Sequence, residues 1–374
     1  MSEQVAEKSE WSGKTGAAEQ FFCMTAQPGG SFDEELHDLM GRYHRQGGDG
    51  GGELLLRFHV SDPARQAASL RRAMAGRSSY LSIVGQPPAN GARVALEAWH
   101  MGGVMEKEKE LVEGGTVLTA KRRHYSLFLA GRHAVAGTGS REQMQREFRW
   151  LDEVAARQGG AVPGMVHRTW IYCRDIDNNY QGLVDGRNES FDRYGLTPAT
   201  HFIASTGIEG CTETPDRLLH MDSLGLGGLL PEQVRYMEAP AHLSPTHVYK
   251  VAFERGTRIV YGDRSHYFIS GTASIDGEGN IVHPGDVSRQ TERTLENMHA
   301  LMEASGGSLC DLKQAVVYLR DWADRDAVSR LLMSSPLSAV PFLLLKAPVC
   351  RPGWLVEIDG IAVNGSGDPA FAPL

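Results

Sequence analysis

Hydrophobic positions recur along the chain with two different spacings, and these predict strands that alternate with helices. In the first part of the chain, residues 53–60, 79–85 and 92–100 carry the apolar runs typical of strands. Residues 63–75 have apolar positions at helical spacing among arginines. The pattern therefore predicts a β-α-β-β unit, which is a sheet with a helix on one face.

Two later stretches repeat one order of elements: a glycine-threonine pair, a helix, a strand, a second helix and an apolar strand. The tetrapeptide YCRD at 172–175 lies 146 positions before YLRD at 318–321. Apolar strands follow at residues 199–208 and 341–350. The repetition predicts an internal duplication in which each copy is an α+β unit with a mixed sheet.

The chain of 374 residues is long enough for several packed units. Low hydrophobicity predicts a flexible N-terminus that is not a signal peptide. The expected division is a flexible N-terminus at 1–20, a diverged N-terminal α+β unit at 21–130, a first repeat at 131–240 and a second repeat at 241–374.

Composition and charge narrow the function. Hydrophobic residues make up 41% and charged residues 22% of the chain, as in globular proteins, and no apolar run is long enough for a membrane span. A net charge of −8 argues against nucleic-acid binding, and an anionic substrate would need local arginines. Five scattered cysteines without a CxxC pair favour reduced thiols in the cytoplasm. Neither a metal-ligand spacing nor a dinucleotide fingerprint is found, so we expect no metal and no cofactor.

The second repeat resembles the Rid family of small reactive-imine deaminases. The resemblance covers about 100 residues and rests on ISGTASID at 269–276, the helical stretch 285–312, VVYLRD at 316–321 and LVEIDGIAV at 355–363. Members of that family form trimers with active sites between subunits. They also carry an arginine upstream of the glutamate that matches Glu357, where an ungapped count places Phe342. This departure argues against imine deamination.

Nearly the whole chain from residue 53 resembles the chorismatases, which fuse two Rid-like units behind a further N-terminal unit. The supporting stretches include RTWIYCRDID at 168–177, HFIASTGIEG at 201–210 and APVCRPGWLVEIDGIA at 347–362. The resemblance implies a pseudo-trimeric single chain, tandem Rid-like units with helices on one face of mixed sheets, and chorismate as the substrate. Because three units already complete the ring, we expect a monomer.

The resemblance also assigns two catalytic residues. The strand pattern alone favours an outward-facing Glu357 that shares a face with Asp359, whereas the resemblance implies that Glu357 is the acid that protonates the enol ether. Cys350 alone is typical of a small buried residue. It stands seven residues before Glu357, and in the resembling enzymes a cysteine at this distance accompanies 3-hydroxybenzoate as the product.

The two carboxylates of chorismate call for arginines, which bind carboxylates bidentately. Arg330 is the first candidate by resemblance, with a solvated helix face as the alternative. Arg168 is proposed as a second clamp, with a surface cross-strand charge as the alternative. Tyr236 is either a hydrogen-bond partner of a carboxylate or an aromatic core residue.

The favoured function is therefore cleavage of chorismate to 3-hydroxybenzoate and pyruvate by general acid catalysis. Three alternatives stay open. One is hydrolysis to a dihydroxycyclohexadiene carboxylate, another is a mixture of 3- and 4-hydroxybenzoate, and the third is a Rid-like module that binds a metabolite or protein without catalysis.

Overall fold

A computed structural model describes residues 6–13, 18–48, 51–133, 137–246 and 251–374. The described residues form three sheets, each covered on one face by helices. We call the corresponding parts of the chain units 1, 2 and 3. The expected α+β class is confirmed.

Unit 1 contains the first five strands and two helices. Its elements are β1 (Lys8–Ser12), β2 (Ala18–Thr25), α1 (Phe32–Arg45), β3 (Glu53–Val60), α2 (Pro63–Ala73), β4 (Tyr80–Gly85) and β5 (Val94–Met101). The predicted β-α-β-β unit is present as β3, α2, β4 and β5. Sequence analysis missed the helix α1, which begins with a capping box between Ser31 and Glu34.

Unit 2 contains a six-stranded sheet. Its elements are β6 (Glu106–Val112), β7 (Gly115–Lys121), β8 (Ser126–Arg132), α3 (Ser140–Arg157), α4 (Val162–Met165), β9 (Val166–Cys173), α5 (Ile176–Tyr194), β10 (Ala204–Glu209) and β11 (Leu219–Gly227).

Unit 3 also contains a six-stranded sheet. Its elements are β12 (Val234–Tyr236), β13 (Gly256–Val260), β14 (Ser265–Ala273), α6 (Val287–Ala304), β15 (Leu312–Leu319), α7 (Arg325–Met333), β16 (Phe342–Lys346) and β17 (Val356–Asn364). Short 3₁₀ turns lie at Pro231–Gln233, Leu309–Asp311, Trp322–Asp324 and Pro336–Ala339.

The sheets of units 2 and 3 have the same topology. Their strand orders are β6-β7-β8-β11-β9-β10 and β12-β13-β14-β17-β15-β16. In both, the strand that comes last in the chain, β11 or β17, lies in the middle of the sheet. It separates the three antiparallel strands that come first from a parallel pair, β9 and β10 or β15 and β16. Unit 1 follows the same scheme with one strand fewer, in the order β1-β2-β5-β3-β4. The equivalence indicates that the chain contains three versions of one unit.

The strands divide the chain differently from the expected boundaries. Residues 8–12, expected in the flexible N-terminus, form β1 and pair with β2. Residues 106–130, expected in the N-terminal unit, belong to three strands of the second sheet. The alternation of charges in β6 (EKEKELV) hides this edge strand from a search for apolar runs. In addition, the Gly271-Thr272 pair lies within β14, whereas its counterpart Gly137-Thr138 follows β8.

Buried charges link the inner faces of the three sheets. Arg57 of β3 donates to Asp222 of β11 at 2.9 Å and to Glu97 of β5 at 3.2 Å. Arg168 of β9 donates to Asp359 of β17 at 2.9 Å. Since removing one partner of a buried pair is strongly destabilising, these contacts hold the units in one arrangement. No helix among the described residues is long and apolar enough to cross a membrane.

Candidate active site

Glu357 is the centre of a cavity between units 2 and 3. It lies on β17, opposite Ala273 of β14 and Tyr318 of β15, and only 5% of its surface is exposed. Gly271 leaves the space for its carboxyl group, because a side chain at that position would overlap the Glu357 Oε1 atom. The glycine of the Gly271-Thr272 pair is therefore required by the close approach of Glu357.

The environment of Glu357 favours the protonated carboxyl group. Its pKa is raised to about 8, mainly by burial and also by the neighbouring Asp359, whereas Arg168 and Arg255 oppose the shift. At neutral pH this carboxyl group consequently carries a proton. A neutral carboxylic acid in an enclosed site is suited to general acid catalysis.

Arg168 lies beneath this site and does not line the cavity. Its side chain is 1% exposed and donates to Asp359 and, at 2.6 Å, to the hydroxyl of Thr206. Thr206 donates to Asp359 at 2.7 Å and accepts from the Gly271 N–H at 3.0 Å. The Arg168 side chain points to the interior in this structure, and its role as a direct substrate clamp stays a prediction. Its position there makes it a positioning residue for Asp359 and Glu357.

Cys350 and Glu357 do line the same cavity, as the seven-residue spacing predicts. Cys350 receives a hydrogen bond from Tyr180 of α5. Burial raises the pKa of the thiol to about 12, and the nearby Glu357 contributes in the same direction. Cys350 is therefore a neutral thiol at pH 7, which argues against a role as a thiolate nucleophile.

Three arginines that sequence analysis did not select line this cavity, and two of them, Arg187 and Arg255, are buried, whereas Arg351 is partly exposed. Arg187 projects from α5 of unit 2, and Arg255 directly precedes β13 of unit 3. Their guanidinium groups lie 5.8 and 5.3 Å from the ring centre of Phe253. Both side chains are almost completely buried, at 3% and 6% exposure. Paired arginines in an enclosed site suit an anionic ligand.

Arg187 has a signal in the sequence. It lies four residues after Leu183 and four before Phe191, both of which are buried, so it occupies the apolar stripe of α5. An arginine on such a stripe is buried and therefore a functional candidate. Arg255 stands in an irregular segment and has no comparable signal.

Tyr236 lines a neighbouring cavity of about 140 Å³. Its ring stacks on His201 with centroids 4.6 Å apart, and burial raises the pKa of its hydroxyl. Phe253 and Arg255 line both this cavity and the cavity at Glu357, which measures about 40 Å³. Tyr236 is thus separated from Glu357 by the wall that these two residues form.

Arg330 lies outside both cavities. Helix α7 buries Val328 and Leu332, which are four residues apart, and Arg330 between them is exposed. In this structure Arg330 therefore lies on the solvated face of α7, as the alternative interpretation expects, and its role in substrate binding stays a prediction. Among the described residues, no three metal-ligating side chains lie together.

The comparisons with known proteins agree with this architecture. Residues 257–364 match the family model described as Endoribonuclease L-PSP, which covers unit 3. A chorismatase of Streptomyces hygroscopicus is 29% identical over 215 residues, covering 53% of this chain and 61% of that protein. The match therefore spans less than two thirds of that relative.

The fold as a whole is similar to the crystal structure of a chorismatase. The TM-score is 0.68 at 21% identity, and the match covers 91% of this chain and 98% of that one. RidA from an Antarctic Psychrobacter is 23% identical over 34% of this chain and 98% of its own, with a TM-score of 0.29. The resemblance to chorismatases and the Rid-like fold are both confirmed.

Proposed function

We propose that the chain is a chorismatase that converts chorismate to 3-hydroxybenzoate and pyruvate. The observation that carries the proposal is Glu357, a buried carboxyl group with a pKa of about 8, in one cavity with Cys350 and the two buried arginines Arg187 and Arg255. The similarity of the chain to a chorismatase supports the choice of chorismate as the substrate.

In the proposed reaction, Glu357 donates its proton to the methylene carbon of the enolpyruvyl ether. The adjacent carbon becomes cationic and the ether oxygen a better leaving group. The carboxylate that forms is stabilised by the nearby cations Arg168 and Arg255, which favour its charged form. Asp359 keeps the group protonated before the reaction, and the cations limit the cost of its ionisation.

The two carboxylates of chorismate would be bound by Arg187 and Arg255. Arg255 is held in place because its Nε and Nη2 atoms donate to the Ser244 carbonyl at 3.2 and 2.7 Å. Such a fixed guanidinium loses little side-chain entropy when it binds a substrate. These residues replace Arg168 and Arg330 in the proposed role.

The size of the cavity bears on how chorismate binds. The space at Glu357 is about 40 Å³, whereas benzene binds in a protein cavity of about 150 Å³. We infer that the substrate also occupies the neighbouring cavity of about 140 Å³ and displaces the Phe253 ring from the wall, while Arg255 stays in place to bind a carboxylate. Tyr236 would then reach the substrate, as the sequence-based prediction holds.

Cys350 supports the aromatic product. A neutral thiol beside Glu357 narrows the cavity and limits access of water to the cation. Without water, the C4 hydroxyl of the ring displaces the enolpyruvyl group, which leaves C3 as pyruvate, and the oxygen bridges C3 and C4. Cleavage of the C4–O bond with loss of the C3 proton then yields 3-hydroxybenzoate, and the released proton returns to Glu357. With water, the ether is hydrolysed and the product is the dihydroxylated diene.

Chromatography after incubation with chorismate separates these possibilities. The proposal expects 3-hydroxybenzoate and pyruvate in equal amounts. The diene alone would indicate a hydrolytic chorismatase, a mixture with 4-hydroxybenzoate would indicate imprecise ring placement, and unchanged chorismate would indicate a binding module. We also propose that the chain acts as a monomer, because the interfaces between its three units are internal; gel filtration tests this.

A further inference from the structure

The boundary between units 1 and 2 contains a second cleft that corresponds to the cavity at Glu357. It measures about 190 Å³, and its lining residues come from both units. The lining residues used below are Arg71, Leu81, Lys109, Glu213, Arg217 and His220. Helix α2 and strand β4 of unit 1 contribute to this cleft as α5 and β10 of unit 2 contribute to the other.

The two sites match position by position. His220 of β11 lies opposite Tyr172, as Glu357 of β17 lies opposite Tyr318. Each stands two residues before a buried aspartate that accepts from an arginine, Asp222 from Arg57 and Asp359 from Arg168. His220 therefore occupies the place of the proposed acid.

A second correspondence lies seven residues earlier in each unit. Glu213 precedes His220 by the same distance that separates Cys350 from Glu357, and all four residues line their cavities. At the third boundary the equivalent position, two residues before Glu97, is Ala95. The position two residues before the buried acidic residue is thus polar at two of the three boundaries. It is a carboxylic acid, Glu357, at only one of them.

The inner wall of the cleft is fixed by internal hydrogen bonds. Arg217 Nη2 donates to His220 Nδ1 at 2.9 Å, and His220 Nε2 lies 3.1 Å from the Asp222 carboxylate. Because arginine has no acceptor, the His220 proton resides on Nε2. Burial lowers the pKa of His220, so its ring is neutral at pH 7. These hydrogen bonds hold the imidazole ring in place, and a histidine stands where the other cavity has the carboxyl group of Glu357.

The charge of the cleft is positive although the chain carries a net charge of −8. Arg71, Lys109 and Arg217 line it, and Glu213 is its one carboxylate among the described lining residues. Glu213 pairs with Arg71 at a partly exposed position. Leu81 adds apolar surface beside these charges. The volume exceeds the roughly 150 Å³ of a cavity that holds benzene, so a six-membered ring fits.

We propose that this cleft binds a small cyclic organic carboxylate without converting it. Arg71 and Lys109 attract the carboxylate, and the ring packs against Leu81. The site is distinct from the cavity at Glu357 and does not depend on the activity proposed for that cavity.

The test uses benzoate as the probe and isothermal titration calorimetry on the full chain, in the absence of chorismate. Gly207→Leu fills the cavity at Glu357, where a Cβ atom on the glycine would make only an ordinary contact of 3.9 Å with the Tyr180 ring. We expect this variant to bind one equivalent of benzoate. Leu81→Trp fills the cleft and should abolish that binding in the Gly207→Leu background.

A second variant, which removes a charge, excludes misfolding of Leu81→Trp as the reason for lost benzoate binding. Lys109→Ala should raise the dissociation constant of benzoate by about tenfold, as expected for loss of one charged contact. Lys107→Ala, a lysine on the same strand that lies outside the cleft, should leave it unchanged. Neutral benzamide should bind at least about tenfold more weakly than benzoate.

The proposal is overturned if Gly207→Leu abolishes all benzoate binding, if Leu81→Trp leaves the remaining binding intact, or if benzamide binds as well as benzoate. A failure to turn over chorismate would contradict the proposed function alone, since this experiment measures binding only.

Discussion

Glu357 and Asp359 point to the same face of β17, but Arg168 donates to Asp359 and leaves the Glu357 carboxyl group directed into the cavity. The pKa values of both carboxyl groups are raised by burial, and the charge of Asp359 adds to the shift at Glu357. Two neighbouring acids thus have different tasks. One holds the interior together, and the other keeps a proton for catalysis.

The pH dependence of the reaction follows from this arrangement. Because the acid must be protonated, kcat/KM should fall as the pH rises through about 8, the pKa of Glu357. Arg168 opposes the raised pKa, so Arg168→Met should move this limb to higher pH. A profile that stays in place in the variant would contradict the influence of Arg168 on Glu357.

Arg168→Met should also lower the free energy of unfolding by about 3–5 kcal/mol, because Asp359 loses its buried partner. The double variant Arg168→Met/Asp359→Asn removes both charges and should recover most of this loss. Urea unfolding of the single and double variants measures the difference. Equal stability of the two variants would contradict a buried pair.

Glu357 should also make the stability of the chain depend on pH. Its pKa is about 8 when folded and near 4.5 when unfolded, so the folded state holds a proton that the unfolded chain releases between these values. The free energy of unfolding contributed by this group is present below pH 4.5 and is lost as the pH rises to 8. Glu357→Gln lacks the effect, so its melting temperature should increase relative to wild type from pH 5 to pH 8. Parallel curves for both proteins would contradict a raised pKa.

We expect substitution of Arg187, which lines the cavity, to impair catalysis and substitution of the exposed Arg330 to have little effect. Arg187→Ala should raise KM for chorismate and lower kcat, since loss of a charge-assisted contact and misplacement of the substrate both follow. Arg187→Lys should rescue only partly, because an ammonium lacks the planar fork. Arg330→Ala serves as the matched control on the solvated face of α7 and should leave both constants within about twofold. The reverse pattern in steady-state kinetics would restore Arg330 to the site.

Cys350 should behave as a protonated, shielded thiol. Because its pKa is raised to about 12, iodoacetamide at pH 7.5 should modify the exposed Cys310 well before Cys350, as measured by mass spectrometry. Cys350→Ala should retain the fold, with a loss of about 1–2 kcal/mol, and shift the product toward the diene. The same aromatic product at an unchanged rate would limit Cys350 to a packing role.

Much of the fold could be predicted from the sequence because apolar spacing records which face of each element is buried. The duplicated order of helices and strands, and the predicted strands 53–60, 79–85 and 92–100, rest on this signal and match β3, β4 and β5 closely. Strand β6 was missed because a charged edge strand gives a weak apolar pattern. Helix α1 was missed although the sequence carries its signal, since Leu36, Leu39, Met40 and Tyr43 recur at helical spacing.

The site was predictable where chemistry depends on local spacing and not where it depends on packing between units. Glu357 and Cys350 share one segment of unit 3, and the structure brings them together. Arg187 belongs to unit 2 and reaches the cavity only through the arrangement of the sheets. Arg168 lies on a predicted strand, but the sequence of that strand does not reveal that its side chain pairs with Asp359 of another unit.

The central claim is that Glu357 protonates the enol ether of chorismate. Its most direct test is the rate of pyruvate release from chorismate by wild type and by Glu357→Gln, with Glu278→Gln, an exposed glutamate of unit 3, as the control. Loss of a general acid should lower the rate by about 10²–10⁴-fold in Glu357→Gln, while the control remains at the wild-type rate and yields 3-hydroxybenzoate. Pyruvate release by Glu357→Gln within about threefold of wild type would contradict the account.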